Sequence, residues 1–375
     1  MFGPDDYQIN NAIMQKPPSE LRLILLCSTL NIDESAQQEL RSLFTLPLNW
    51  EKIKKQANAQ KLTPLLYANL NKCGLLDSLP QEIAMSFRQI YLANLQRNLV
   101  IEKEILRIVE LASSQGIRII LLKGLALIYT LYKDYALRIM VDADMFIQKE
   151  DFLSLKDIFL QLGYKANEEA IKNYAQKDEY ELMFSKKAFK EQFIYIDLHW
   201  RLLPSRPYLL QLPKAWERAE KIALPGHEVF SLSDEDNFLY LTLHLRRHVR
   251  DLTLNSIVDI AEYLKVKGQA LDWDYIEDNA RSNHFFSSIF FVLYLCRELF
   301  ATEVSPEVMN KFKVMAVRRF LLKLFLNKDN FFSFKRWKGA CVRLLLFDNP
   351  VDFFLYLWRV SLYERHFAKV FSRSE

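Results

Sequence analysis

The apolar residues of this chain recur at three and four positions through its first hundred residues and again from about residue 233 to the end, whereas between Gly116 and Pro204 the period drops to two. The first spacing builds amphipathic helices and the second builds strands with one face buried. Elements of both kinds must cover their apolar faces with one another, so a short run of strands between two helical stretches implies a mixed sheet packed within helices. The expected class is α+β: a small mixed-sheet core embedded in N- and C-terminal helical regions. The divisions read as 1–115, helical; 116–204, the core; 205–310, a helical bundle; and 311–375, a basic, aromatic-rich helical region.

Within these divisions the pattern predicts helices over 19–30, 33–44, 50–57, 63–73 and 80–115. Ser19-Glu20 and Asp33-Glu34 serve as start signals. The core reads as a strand over 117–123, a helix over 125–132, a strand over 141–147, a helix over 151–162 and an antiparallel pair over 180–185 and 192–200. Pro204, Pro207, Pro213 and Pro225-Gly226 then mark a connecting stretch. Ser233-Asp234-Glu235-Asp236 opens a further helix by its acidic first turn.

The chemistry concentrates in the core. Asp142 and Asp144 flank Ala143 on a predicted strand, so alternation directs both carboxylates to one face. Their Cα atoms would lie roughly 6.5–7 Å apart, a span suited to two metal ions about 3.5–4 Å apart. Asp197, on the later strand, is the candidate third carboxylate, and His199 shares its face. Carboxylate oxygens are hard ligands that suit Mg²⁺. Upstream, Lys123-Gly124 joins a predicted strand to a predicted helix. A glycine there lets backbone approach phosphate, and the amides at a helix N-terminus favour an anion. Lys123 and Arg138 are candidate charge partners for phosphate oxygens. His244 and His248 are four apart on one predicted helix, but the residues between them are Leu245-Arg246-Arg247. Without the glutamate of H-E-x-x-H, and with two arginines, a zinc pair is disfavoured there. A polar bridge to the core or a structural pair remain for them. P-loop, dinucleotide-binding, protein-kinase and nucleophile-elbow signatures are all absent from the sequence.

Taken in order, Leu122-Lys123-Gly124-Leu125-Ala126-Leu127, Leu131-Tyr132 and Leu137-Arg138-Ile139-Met140-Val141-Asp142-Ala143-Asp144 resemble the signature of the bacterial family of uncharacterised nucleotidyltransferases, within the DNA polymerase beta-like superfamily. Ile196-Asp197-Leu198-His199-Trp200-Arg201 resembles a second block of that family, and Tyr240 to His244 with His248 and Asp259 a third. The resemblance implies a nucleotidyltransferase core. Its cofactor would be two Mg²⁺ ions, with Mn²⁺ an alternative, and its reaction transfer of a nucleoside monophosphate from an NTP to a hydroxyl with release of pyrophosphate. Asp142, Asp144 and Asp197 would be the catalytic and metal-holding residues; Lys123, Gly124, Arg138 and His199 would meet the nucleotide. The wider superfamily places Gly-Ser at the helix start where this chain has Gly124-Leu125, so no hydroxyl is available there. The acceptor could be a protein, a small molecule or RNA. Two other readings stay open: a catalytically inactive nucleotide-binding adaptor, and an RNA- or anionic-surface-binding module.

The last reading rests on charge. Residues 311–375 carry 14 Lys and Arg against 5 Asp and Glu, a surplus of +9 in a chain whose total is only +4. Phe331-Phe332-Ser333-Phe334-Lys335-Arg336-Trp337-Lys338 interleaves those charges with aromatics, which suits an anionic partner. Cys27, Cys73, Cys296 and Cys341 are scattered without metal or disulfide spacing, so a cytoplasmic setting is expected. The N-terminus has no secretory pattern. No apolar run approaches the ~20 residues of a membrane span.

Overall fold

The structure, a computed structural model, describes residues 18–174, 179–188, 192–204, 210–224, 227–325 and 336–358. Six strands form one mixed sheet: β1 (Ile120–Leu122), β2 (Ala143–Phe146), β3 (Glu181–Lys187), β4 (Phe193–His199), β5 (Glu220–Leu224) and β6 (His227–Ser231). Their order across the sheet is β3-β4-β2-β1-β6-β5. Pairs β2–β4 and β1–β6 are parallel, and the others are antiparallel. The class is α+β, a small mixed sheet held within helical regions, as the change of period implies.

Alternation along the central strands divides the interior in two. On one side of the sheet, Ala143 and Met145 of β2 and Ile194, Ile196 and Leu198 of β4 pack with Ile101, Ile105 and Ile108 of the 34-residue helix Gln81–Ser114. On the other side, Ile120 and Leu122 of β1 join a core shared by the N-terminal helices and by helices Asp234–Arg247, Leu254–Lys267 and Phe286–Phe300. Asp144, Asp197 and His199 occupy the strand positions between those of the first set, so the pleat turns them toward the second side. Helix Asp234–Arg247 packs on that side. It starts where Ser233 caps it, the side chain accepting from the Asp236 amide, and it brings Tyr240 and His244 over the acidic strands.

Several boundaries differ from the sequence pattern for local reasons. The predicted helix over 125–132 begins two residues earlier, at Lys123, and after Leu127 continues as a π-helical turn, Ile128–Tyr132, that ends at left-handed Lys133. Residues 220–231, expected as connection, add β5 and β6 to the edge of the sheet. Prolines around a strand pair mask its alternation, and Pro225-Gly226, which joins the two, falls outside the described residues.

Of the basic C-terminal region, residues 326–335 and 359–375 lie outside the described residues, and with them most of the aromatic-basic run Phe331 to Lys338. Among the described cations, Lys311 pairs with Asp274 and Glu277, and Arg318 pairs with Asp348. Part of the formal surplus is therefore taken up inside the protein. The four cysteines are free thiols. Among the described residues, no helix is long and apolar enough to cross a membrane.

Candidate active site

Parallel pairing of β2 with β4 sets Asp144 directly opposite Asp197, and Phe146 opposite His199. The register brings ligand atoms of Asp144, Asp197 and His199 within 4.8 Å of one another. Two carboxylates from adjacent parallel strands thus point the same way at the same height, with an imidazole one strand position-pair further along. Asp142 precedes β2, outside that 4.8 Å group. It remains close enough that its charge raises the pKa of Asp197.

Lys123 closes the group from the neighbouring strand. It follows β1 directly, and β1 pairs with β2 so that Leu122 faces Asp144. Its Nζ lies 2.7 Å from Asp144 Oδ1 and 3.2 Å from His244 Nε2. The same Asp144 oxygen lies 3.1 Å from His199 Nε2, which donates to it. Among the described residues, His199 Nδ1 has no hydrogen-bond partner. The carboxylate of Glu181, on β3, is 3.2 Å away but off the line of the N–H direction.

The electrostatics of the group are unequal. Burial pushes the Asp144 carboxyl upward, but Lys123 and His199 outweigh it and hold the group well below the usual carboxylate range. Lys123 is correspondingly held protonated: burial opposes its charge, and Asp144 overcomes that opposition. For the other two acids the neighbouring cations, Lys123 and Arg138 at Asp142 and His199 at Asp197, are outweighed. Burial and the Asp144 charge raise Asp142, and burial with Asp144 and Asp142 raises Asp197 to about 6. A half-buried group of carboxylates with one lysine between them is over-acidic, and this surplus is what a cation relieves. The donor set of two carboxylates and an imidazole fits a divalent ion.

Arg138 and Gly124 lie one step away. Arg138 is bidentate on Asp259, with Nε to Oδ1 at 2.9 Å and Nη2 to Oδ2 at 2.7 Å. The Tyr132 hydroxyl donates to the same Asp259 at 2.7 Å. Both hydrogen bonds that the planar fork offers most readily are committed within the protein. Gly124 is buried against this pair: a Cβ there would stand 2.7 Å from Met140 Sδ and 3.2 Å from Arg138 Nη1. The glycine thus lets the strand–helix turn sit flush on Met140. The residues that the sequence does not single out are Glu181, beside His199, and Arg247, which lies 3.9 Å from Glu181 and over the Tyr180 ring. Glu181 opposes His199 across the β3–β4 pair, a relation set by register and not by spacing.

The fold and site define a mixed-sheet α+β protein with a buried group of two carboxylates and an imidazole close enough together to share a cation. Residues 47–301 match the family described as uncharacterised nucleotidyltransferases, and the chain belongs to that family. Membership carries the enzyme class, nucleotidyltransferase, and with it transfer of a nucleoside monophosphate in general terms. Among solved structures, the crystal structure of ANT(2″)-Ia in complex with adenylyl-2″-tobramycin is similar over 48% of this chain and 95% of that one, at 14% identity and a TM-score of 0.32. No curated protein matches the chain.

Proposed function

We propose that this protein transfers a nucleoside monophosphate from an NTP to a hydroxyl of an acceptor, with release of pyrophosphate, in a site built on β2 and β4. The observation that carries the reading is the register of Asp144 against Asp197, which sets two carboxylates side by side in a largely buried place where burial and the Asp144 charge raise Asp197. Asp144 and Asp197 would hold a divalent ion, Mg²⁺ or alternatively Mn²⁺, with Asp142 at the entry of the strand as a further ligand. A bound ion of this kind neutralises triphosphate charge and orients the transferring group.

The chain's own groups then have distinct tasks. Asp197 stands across the strand pair from Asp144, and in this reading its carboxylate receives the proton of the acceptor hydroxyl. The hydroxyl oxygen bonds to the α-phosphorus as the bond from that phosphorus to the bridging oxygen breaks, and the electron pair leaves with pyrophosphate. His199 donates to Asp144 and fixes the direction of that carboxylate. Lys123 carries the one ammonium of the group and is the candidate partner for phosphate oxygens, with the Gly124 turn behind it.

The test is to incubate the protein and Mg²⁺ with NTPs labelled at the α- or the γ-phosphate, separately with small-molecule, protein and RNA fractions. The reading predicts that only the α label enters a product, with stoichiometric pyrophosphate, and that Asp144→Asn abolishes both. Entry of the γ label instead would identify a phosphoryl transferase and contradict the assignment.

A further inference from the structure

We propose that Lys123 is an exchangeable counter-ion: in the metal-free protein its ammonium occupies the cation's place on Asp144, and a divalent ion binds by displacing it. This inference rests on the reading of Asp144 and Asp197 as metal-holding residues. It adds that the protein itself supplies the competitor.

The geometry leaves little room for both cations. Asp144 is 5% exposed, and its Oδ1 is already shared by Lys123 Nζ at 2.7 Å and His199 Nε2 at 3.1 Å. A divalent ion coordinates carboxylate oxygen at roughly 2.0–2.6 Å. Bound to either oxygen of Asp144, it would stand within a few ångströms of the ammonium, where repulsion in a partly desolvated site is severe. One of the two must withdraw.

Lys123 has both the means to withdraw and a place to go. Its charge rides on a flexible four-carbon stem, and its Nζ is already 3.2 Å from His244 Nε2. Burial and the nearby Lys123 charge keep His244 well below the usual imidazole range, so its ring is neutral and can accept a hydrogen bond from the ammonium. The Tyr240 ring lies 5.9 Å from Nζ, and among the described residues its buried hydroxyl has no partner other than the Lys123 ammonium beside it. Helix Asp234–Arg247 thus presents an alternative acceptor surface beside the acidic one. The backbone also holds Lys123 at φ +43°, a left-handed conformation that a side-chain-bearing residue adopts at a cost. That conformation ties the residue to the junction of β1 with the following helix.

The consequence is a pair of effects with opposite sign. Removing the ammonium should strengthen binding of the ion alone, since a competitor is lost. It should weaken binding of the ion together with a triphosphate, since the displaced ammonium no longer meets phosphate. A lysine that served only as a phosphate ligand would leave the first quantity unchanged.

The measurement is Mn²⁺ binding by electron paramagnetic resonance to wild type, Lys123→Met, Lys123→Gln and Asp144→Asn, repeated with a non-hydrolysable NTP analogue. The Gln variant keeps a hydrogen-bonding side chain opposite Asp144 and covers the case in which the Met variant does not fold. Both neutral variants should bind Mn²⁺ alone at least about ten-fold more tightly than wild type, and bind Mn²⁺ with the analogue several-fold less tightly. Equal or weaker Mn²⁺ binding by Lys123→Gln, with binding lost in Asp144→Asn, would overturn the counter-ion role and leave the metal site standing. Mn²⁺ binding that Asp144→Asn does not disturb, or absence of binding in every protein, would overturn the metal site and the counter-ion role together.

Discussion

Two buried carboxylates sit side by side in this protein under opposite conditions. Asp259 is answered in full: Arg138 meets it with two parallel hydrogen bonds and Tyr132 adds a third. Asp144 has Lys123 and His199, but Asp197 stands opposite it in the sheet and Asp142 two residues before it. The first cluster is balanced, joins helix Leu254–Lys267 to the turn beside Gly124, and is explained by that structural task. The second carries more negative charge than its fold requires. That imbalance in a buried position is what the proposed ligand site rests on, and the balanced neighbour supplies the internal control.

The largest expected effect tests the balanced side. Arg138→Ala leaves Asp259 buried without its cation, and unfolding experiments should show a loss of about 3–5 kcal/mol. Arg138 would have another role if the variant kept wild-type stability and lost nucleotide binding alone. On the unbalanced side the sign reverses. Burial and the neighbouring carboxylates push Asp197 up to about 6 from the ordinary aspartate range, so its charge costs stability increasingly as pH rises through that interval and costs none below the unfolded value. In the absence of metal, Asp197→Asn should therefore stabilise the protein at pH 7 by up to about 3 kcal/mol, less whatever solvent screening of this partly exposed group removes, and the gain should fade toward pH 4. A destabilised variant at pH 7 would show that Asp197 is already compensated and that the contrast drawn above is false.

The smallest effect concerns a third, half-buried cluster on the other side of the sheet. There Glu104 accepts from Lys186 and, at 3.2 Å, from Tyr164. Burial raises Glu104, yet these partners bring its pKa below 4.5 on balance. Its contribution is present above pH 4.5 and disappears as pH falls through the lower folded value. Glu104→Gln should cost about 1 kcal/mol at neutral pH and nothing once the pH is below that value, as measured by urea unfolding across pH. A cost independent of pH would mean that shape, not charge, is what Glu104 provides.

The parts of this arrangement that sequence makes visible are those set over short distances. The shift from helical to strand period marks the core, and Asp33 and Ser233 cap the helices they precede. Asp197 and His199 lie two apart on a strand and share its face. The hidden parts depend on what lies opposite. Arg138 reads as a phosphate partner, and its pairing with Asp259, 121 residues later, is not visible in the sequence. Gly124 reads as an opening for phosphate, and its close approach to Met140 is a second constraint that the sequence does not reveal. Glu181 gains its position beside His199 only from the β3–β4 register. β5, at the edge of the sheet, and β6, inside it, are short strands among prolines, and their pairing partners, not their own pattern, define them.

The central claim is that the surplus of carboxylate on β2 and β4 is a site for a divalent ion bound with an NTP. Its most direct test is the melting temperature of wild type and of the double variant Asp144→Asn, Asp197→Asn, each with the four NTPs in the presence and absence of Mg²⁺. The account predicts a rise in wild type that requires both Mg²⁺ and nucleotide and is absent from the double variant. A rise of equal size in the double variant, or one in wild type that is indifferent to Mg²⁺, would contradict it.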